Sequence, residues 1–166
     1  MELDNQPKYG LLLTKDITLH RKQFKEFLKL QGIRVVYYAP RPGKTYTTYT
    51  EIKSNYERPV VVGCIFHEHP DQKTLKKMGW VAELQENASI IDVEYDLSGL
   101  QVGALFVVPS GLDCAQGRLF RVVGMQNSII YPSAISCEIV PEYEDTYSDN
   151  QNDYTHSSFN LLKEGD

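Results

Sequence analysis

The feature that most restricts the fold is a succession of short β-branched and aromatic runs, each closed by Gly, Pro, Ser or Asn. They are "IRVVYYA", "TYTTYTEI", "PVVVGCIFHEH", "ASIIDVEY", "ALFVVPS", "GRLFRVVGMQ" and "SAISCEIVPEY". Val, Ile, Tyr and Phe fit a pleated, half-buried surface, and the punctuating residues supply turns. Short strands at this spacing predict a mainly β chain: a small twisted β-barrel of about six to seven strands. The expected core is Val61, Ile65, Ile91, Val93, Leu105, Val107, Leu119, Val122, Ile135 and Ile139. "TYTTYTEI" differs from the rest in being polar on both faces, which predicts an exposed, projecting hairpin.

Upstream of the strands the period changes. From Thr18 to Gln31, Phe24, Phe27 and Leu28 fall on one face with Ile17 further back, while Arg21, Lys22, Lys25 and Lys29 lie mostly away from it. That spacing predicts one helix, and Gly32 suits the left-handed position after its last turn. Three regions follow: an N-terminal arm and helix over 1–32, a barrel with projecting loops over 33–143, and an acidic tail over 144–166. The last region reads "EDTYSDNQNDYTHSS" with no aliphatic residue before "FNLL", a composition expected of a solvated tail.

Charge is distributed to match. Of the formal −5, a net −6 falls between Pro141 and Asp166, so the remainder is close to neutral. A near-neutral body argues against a general DNA-binding surface, though not against a local basic patch. No apolar run approaches the roughly 20 residues that span a bilayer, and the amino end lacks the sections of a secretion signal. Cys64, Cys114 and Cys137 are an odd set without metal spacing, expected as reduced thiols.

Chemistry-bearing motifs are few. If "VVVGCIFHEH" is a strand, His67 and His69 share a face, and Pro70 favours extended geometry at His69. Zinc needs three protein ligands in a catalytic site and four in a structural one. Cys64 and Glu68 have the wrong parity, and only Asp71 is near. Two histidines at a strand end are the expectation, with no metal and no cofactor. Gly43-Lys44-Thr45 has Tyr38 where a phosphate loop needs its first glycine, and a strand rather than a helix after it. Ser110 is flanked by Val108 and Leu112 where a nucleophile elbow needs glycines. Nothing assembles an active site, so no enzyme is expected.

"DQKTLKKMGW" remains. Over a helical turn from Asp71 to Met78, Lys73, Lys76 and Lys77 share one face, with Leu75 and Met78 on the other. Such a cluster can meet phosphates or a carboxylate-rich partner. Trp80, after a glycine, is either a core anchor or an interface anchor.

Taken in order, "FLKLQGIRVVYY", the Thr/Tyr hairpin, "IFHEHPDQKTLKKMGW", "YDLSGLQVGALFVVPSG" and "GRLFRVVGMQNSIIYPSAISCEIVPEY" resemble the head-closure (stopper) and head–tail connector proteins of the tailed-bacteriophage neck. The resemblance spans roughly Phe24 to Tyr143 and rests mostly on Pro70–Trp80 and Leu97–Val108. It implies a small barrel with projecting loops and no enzymatic activity. It also implies copies of itself in a ring on the portal axis, made in the host cytoplasm and incorporated in the virion. Partners would be portal or adaptor proteins, tail proteins and packaged DNA, the last held sterically and without base readout. Pro42–Ile52 and His69–Trp80 would project, making Lys73, Lys76, Lys77, Trp80, Tyr46 and Tyr49 the partner- or DNA-facing candidates, with Tyr37 and Tyr38 beside them. The acidic tail departs from a compact barrel and leaves a neighbouring adaptor or tail-completion protein as an alternative. A small β-barrel nucleic-acid module is a further one, resting on Arg118, Phe120 and Arg121. A metal enzyme using His67 and His69 is the last.

Overall fold

Period-two alternation has a single solution when six strands share one interior. A computed structural model describes residues 14–42, 56–80, 83–110, 116–127 and 133–142. They form α1 (Thr14–Gln31), β1 (Ile33–Tyr38), β2 (Val60–His67), α2 (Gln72–Lys77), β3 (Ser89–Glu94), β4 (Leu105–Ser110), β5 (Gln116–Asn127) and β6 (Ala134–Pro141). The strands make a closed antiparallel barrel in the order β1-β2-β3-β6-β5-β4, with β4 returning to β1. The expected fold class is therefore what forms: mainly β, a six-stranded barrel with an N-terminal helix.

The interior takes alternate residues from every strand. Val35 and Tyr37 of β1, Cys64 of β2, Ile91 and Val93 of β3, Phe106 and Val108 of β4, Phe120 and Val122 of β5, and Cys137 and Ile139 of β6 form one buried cluster. The sequence reading chose the other parity in β2 and β4, and in β5 it placed Val122 inside correctly but also Leu119, which packs on the exterior cluster. Val61 is 38% exposed on the outer wall, and Leu105 and Val107 are buried in a separate cluster. "VVVGCIF" and "LFVV" are apolar at both parities, so alternation carries no information in either run.

The crossover from β3 to β4 closes one end of the barrel. Leu97 and Leu100 pack onto the interior cluster, and the Tyr37 hydroxyl donates to the Ser98 carbonyl at 3.1 Å. Gly99 makes that turn at φ +71, where a Cβ would also stand 3.0 Å from Ala39.

α1 lies on the outside of β2 and β3. Its contact face is Ile17, Phe24 and Leu28, spaced by seven and four residues, while Phe27, expected there, is 43% exposed. Leu28 packs over Gly63, Lys25 Nζ reaches Glu94 at 3.1 Å, and the Arg21 guanidinium stacks 3.4 Å from the Tyr95 ring centroid. The helix begins at Thr14 rather than Thr18. Gly32 is not left-handed as expected: the positive-φ glycines among the described residues are Gly79, Gly99 and Gly103. Glycine is needed at 32 because a Cβ would stand 2.4 Å from the Leu28 carbonyl oxygen, and the Gly32 amide donates to that same oxygen at 2.8 Å.

Outside the barrel a second cluster of Val36, Tyr38, Leu105 and Val107 is joined by Tyr56 from the β1–β2 connection. This roots the connection. Pro40 bridges Tyr56, the Glu57 amide donates to the Ala39 carbonyl at 2.8 Å, and the Tyr56 hydroxyl donates to the Gly103 carbonyl at 2.8 Å. The expected hairpin itself, with Tyr46 and Tyr49, lies outside the described residues, as do Cys114 and the tail.

Candidate functional site

α2 owes its existence to its cap and its underside. Asp71 stands at the N-cap in extended geometry and its carboxylate accepts from the Thr74 amide at 2.7 Å. That bond satisfies one of the helix's orphan donors, and hydrogen bonding from the Thr74 side chain first, then from its amide, holds the Asp71 carboxyl below its ordinary range. Leu75 points down into a third cluster with Trp80 and Ile90, flanked by Met78 and Leu84. Ile90 sits on the outer face of β3, because its neighbours Ile91 and Val93 are the inward pair. Lys73, Lys76 and Lys77 are left on the solvent side, all exposed, as their spacing predicts.

Trp80 resolves differently. It is 9% exposed, packed on Leu75 and Ile90, and its indole nitrogen is buried without a hydrogen-bond partner. The expectation of Trp80 as a partner-facing residue is corrected: it is the rivet that fixes α2 to the wall. Polar bonds hold residues on either side of Trp80, Gly79 and Gln85. Glu138, buried on β6, accepts from the Gln85 amide at 2.6 Å, and Gln126 donates to the Gly79 carbonyl at 2.5 Å. Tyr37 and Tyr38 are likewise buried, one inside the barrel and one in the exterior cluster, so neither is an interface tyrosine.

The histidines separate. β2 ends at His67, and His69 takes a left-handed φ of 43°, so strand parity does not carry across Glu68 and the extended geometry expected before Pro70 is not adopted. His67 Nε2 bonds Asp92 Oδ2 at 3.2 Å, and His69 Nδ1 lies 3.3 Å from the Ala88 carbonyl. Among the described residues no group of three or more His, Cys, Asp or Glu is arranged to hold a metal ion. Sequence reasoning missed the third member of the His67 group: the Ser136 hydroxyl donates to Asp92 Oδ1 at 2.5 Å. Here the carboxylate stands between serine and histidine, so the histidine cannot take the serine proton as a nucleophile–base pair requires. The three residues clamp β2, β3 and β6 together. Only long-range pairing brings them into contact, and no local spacing announces it.

On β5, Phe120 faces the interior, Arg118 pairs with Glu68 at 2.6 Å, and Arg121 makes a two-pronged pair with Glu142 at 2.8 Å per contact. An aromatic turned inward and arginines already held by carboxylates do not form a base-stacking groove. Burial, and secondarily the Asp92 carboxylate, pushes the Cys64 and Cys137 thiols up to about 12, far from a reactive thiolate. What the exterior does offer is a raised lysine face on α2. No protein-family model, curated protein or solved structure matches this chain.

Proposed function

We propose that the chain is a structural subunit of the tailed-phage neck, a head-closure ring component that joins the portal-adaptor complex to the tail and helps retain packaged DNA. One observation carries this: the barrel wall holds two exterior apolar clusters, one beneath α2 and one joined by Tyr56 from the β1–β2 connection. An isolated barrel needs no second layer at those places. A subunit that must present fixed contacts to neighbours does, because a contact held on a rigid wall loses less entropy on assembly than a free loop. The three lysines of α2 supply a local positive face on a near-neutral body, suited to phosphates or to an acidic neighbouring surface.

The test is localisation. Gold-labelled antibody against the chain, applied to virions of its source phage, is expected at the head–tail junction. Label along the tail tube or on the capsid shell, or a chain missing from purified virions, would refute the neck assignment.

A further inference from the structure

The two seams that attach the β1–β2 ribbon to the other four strands are short. β1 meets β4 over three pairs, and β2 meets β3 over three, Ile65↔Asp92 to His67↔Ile90. By contrast β3–β6 and β4–β5 each run six. The β2–β3 register would continue to Gly63↔Glu94, but the ladder stops. On its other side the same stretch stays paired with β1, from Ile33↔Cys64 to Tyr37↔Val60. Where the strands part lies a cleft of about 380 Å³, walled by Val61, Val62, Val93 and Leu97 with Glu94 and Asp96 at its mouth. Lys25 is shared between both carboxylates, at 3.1 and 3.7 Å.

A strand edge, aliphatic walls and an acidic mouth describe one kind of guest: an extended peptide with aliphatic side chains and a basic residue. An open edge invites a further strand, which pairs through the backbone and sets its specificity through alternate side chains. We infer that β2 accepts the N-terminal arm of a second copy of this chain, with Leu11, Leu12 and Leu13 laid along residues 61–63.

Charge selects that segment. Residues 8–13, "KYGLLL", carry Lys8 and no acid, whereas the other aliphatic terminal stretch, "FNLLKEGD", carries two acids and one lysine. Length selects the second copy. Leu28 sits on Gly63, and fourteen residues of helix place Thr14 about 21 Å away along α1. Leu11 lies three residues before Thr14, a reach of about 10 Å, so the molecule's own leucines stop about halfway back. A neighbour's arm has no such tether. The inference stands apart from the neck assignment, since arms can be exchanged in a ring or in any other self-assembly.

Disulfide trapping tests it. One preparation carries Leu12→Cys or, separately, Leu13→Cys, so that either strand parity is sampled; the other carries Val61→Cys. All carry Cys114→Ser, and the buried Cys64 and Cys137 do not compete. Circular dichroism checks that each variant folds. Mixed at high concentration under mild oxidation, an arm variant and the Val61→Cys variant are expected to form a linked dimer several-fold in excess of the exposed control Leu30→Cys mixed with Val61→Cys. No excess over that control overturns the inference. So does a chain carrying both cysteines that closes on itself as a monomer, which would assign the cleft to its own arm. Absence of the chain from virions would remove the neck assignment and leave this result untouched.

Discussion

Replacing Trp80 with phenylalanine separates two opposing terms at the rivet beneath α2. The indole N–H is buried without a partner, and an unsatisfied donor of this kind costs about 1–3 kcal/mol on the scale of protein mutational data. Phenylalanine removes that donor. It also removes two ring carbons from a cluster with Leu75 and Ile90, a loss of about 1.6 kcal/mol at roughly 0.8 kcal/mol per buried methylene-sized group. The terms nearly cancel, so Trp80→Phe is expected to change stability by less than about 1.5 kcal/mol in either direction. Trp80→Ala gains the same relief but empties nearly the whole site, so the packing loss dominates and the expected cost is about 3–5 kcal/mol. Because Trp80 is the chain's one tryptophan, urea unfolding must be followed by far-UV circular dichroism rather than by indole fluorescence. If Trp80→Phe cost as much as Trp80→Ala, the indole nitrogen would have to be hydrogen-bonded, and the placement of Trp80 argued above would be wrong.

Four further outcomes are expected. Tyr56→Phe deletes the hydroxyl bonded to the Gly103 carbonyl and should destabilise by about 1–3 kcal/mol in the same unfolding assay, the cost of a buried acceptor left unpaired. Changing Lys73, Lys76 and Lys77 together to Glu should leave the unfolding midpoint nearly unmoved; if those lysines meet DNA, a filter-binding salt series should lose up to about 2.7 units of log–log slope, three phosphate contacts' worth. With a thiol reagent at mildly alkaline pH, Cys64 and Cys137 should stay unmodified in the native chain and react fully once urea unfolds it, since burial holds both far above the pH. The Asp71 carboxyl is depressed below its ordinary 3.8 in the folded chain, so its contribution to α2 is complete above that value and fades as pH falls through the lower folded value; protection of the Thr74 amide relative to its intrinsic exchange rate should drop there, and Asp71→Asn, which keeps a capping oxygen, should remove the acid sensitivity.

What the sequence declares and what it hides follow from the number of layers around each strand. Six of the seven strand runs are strands and the seventh, "TYTTYTEI", lies outside the described residues; α2 has Leu75 and Met78 inward with its lysines outward, because capping and spacing act within one turn of chain. The parity of β2 was hidden because "VVVGCIF" meets the barrel interior on one side and α1 on the other at Gly63. The clamp of His67, Asp92 and Ser136 was hidden for a different reason: its members come from three strands, up to 69 positions apart in the numbering, and each looks like an ordinary exposed polar residue in its own run.

The same double-faced runs that obscured parity also mark where the barrel carries something on its back. An antiparallel strand with one wet face alternates, yet Val35 to Tyr38, Ile90-Ile91 and Leu105 to Val108 are uninterrupted apolar stretches. In each, one parity fills the interior and the other builds an exterior cluster. Those clusters lie where Tyr56 packs on the outer wall and where Leu75 and Trp80 root α2. A chain whose barrel alone were its purpose would expose Ile90 and Val36 to solvent, and ordinary surface composition disfavours that. The apolar residues in excess of what the interior needs therefore build the outer clusters, Ile90 beneath α2 and Val36 beside Tyr56.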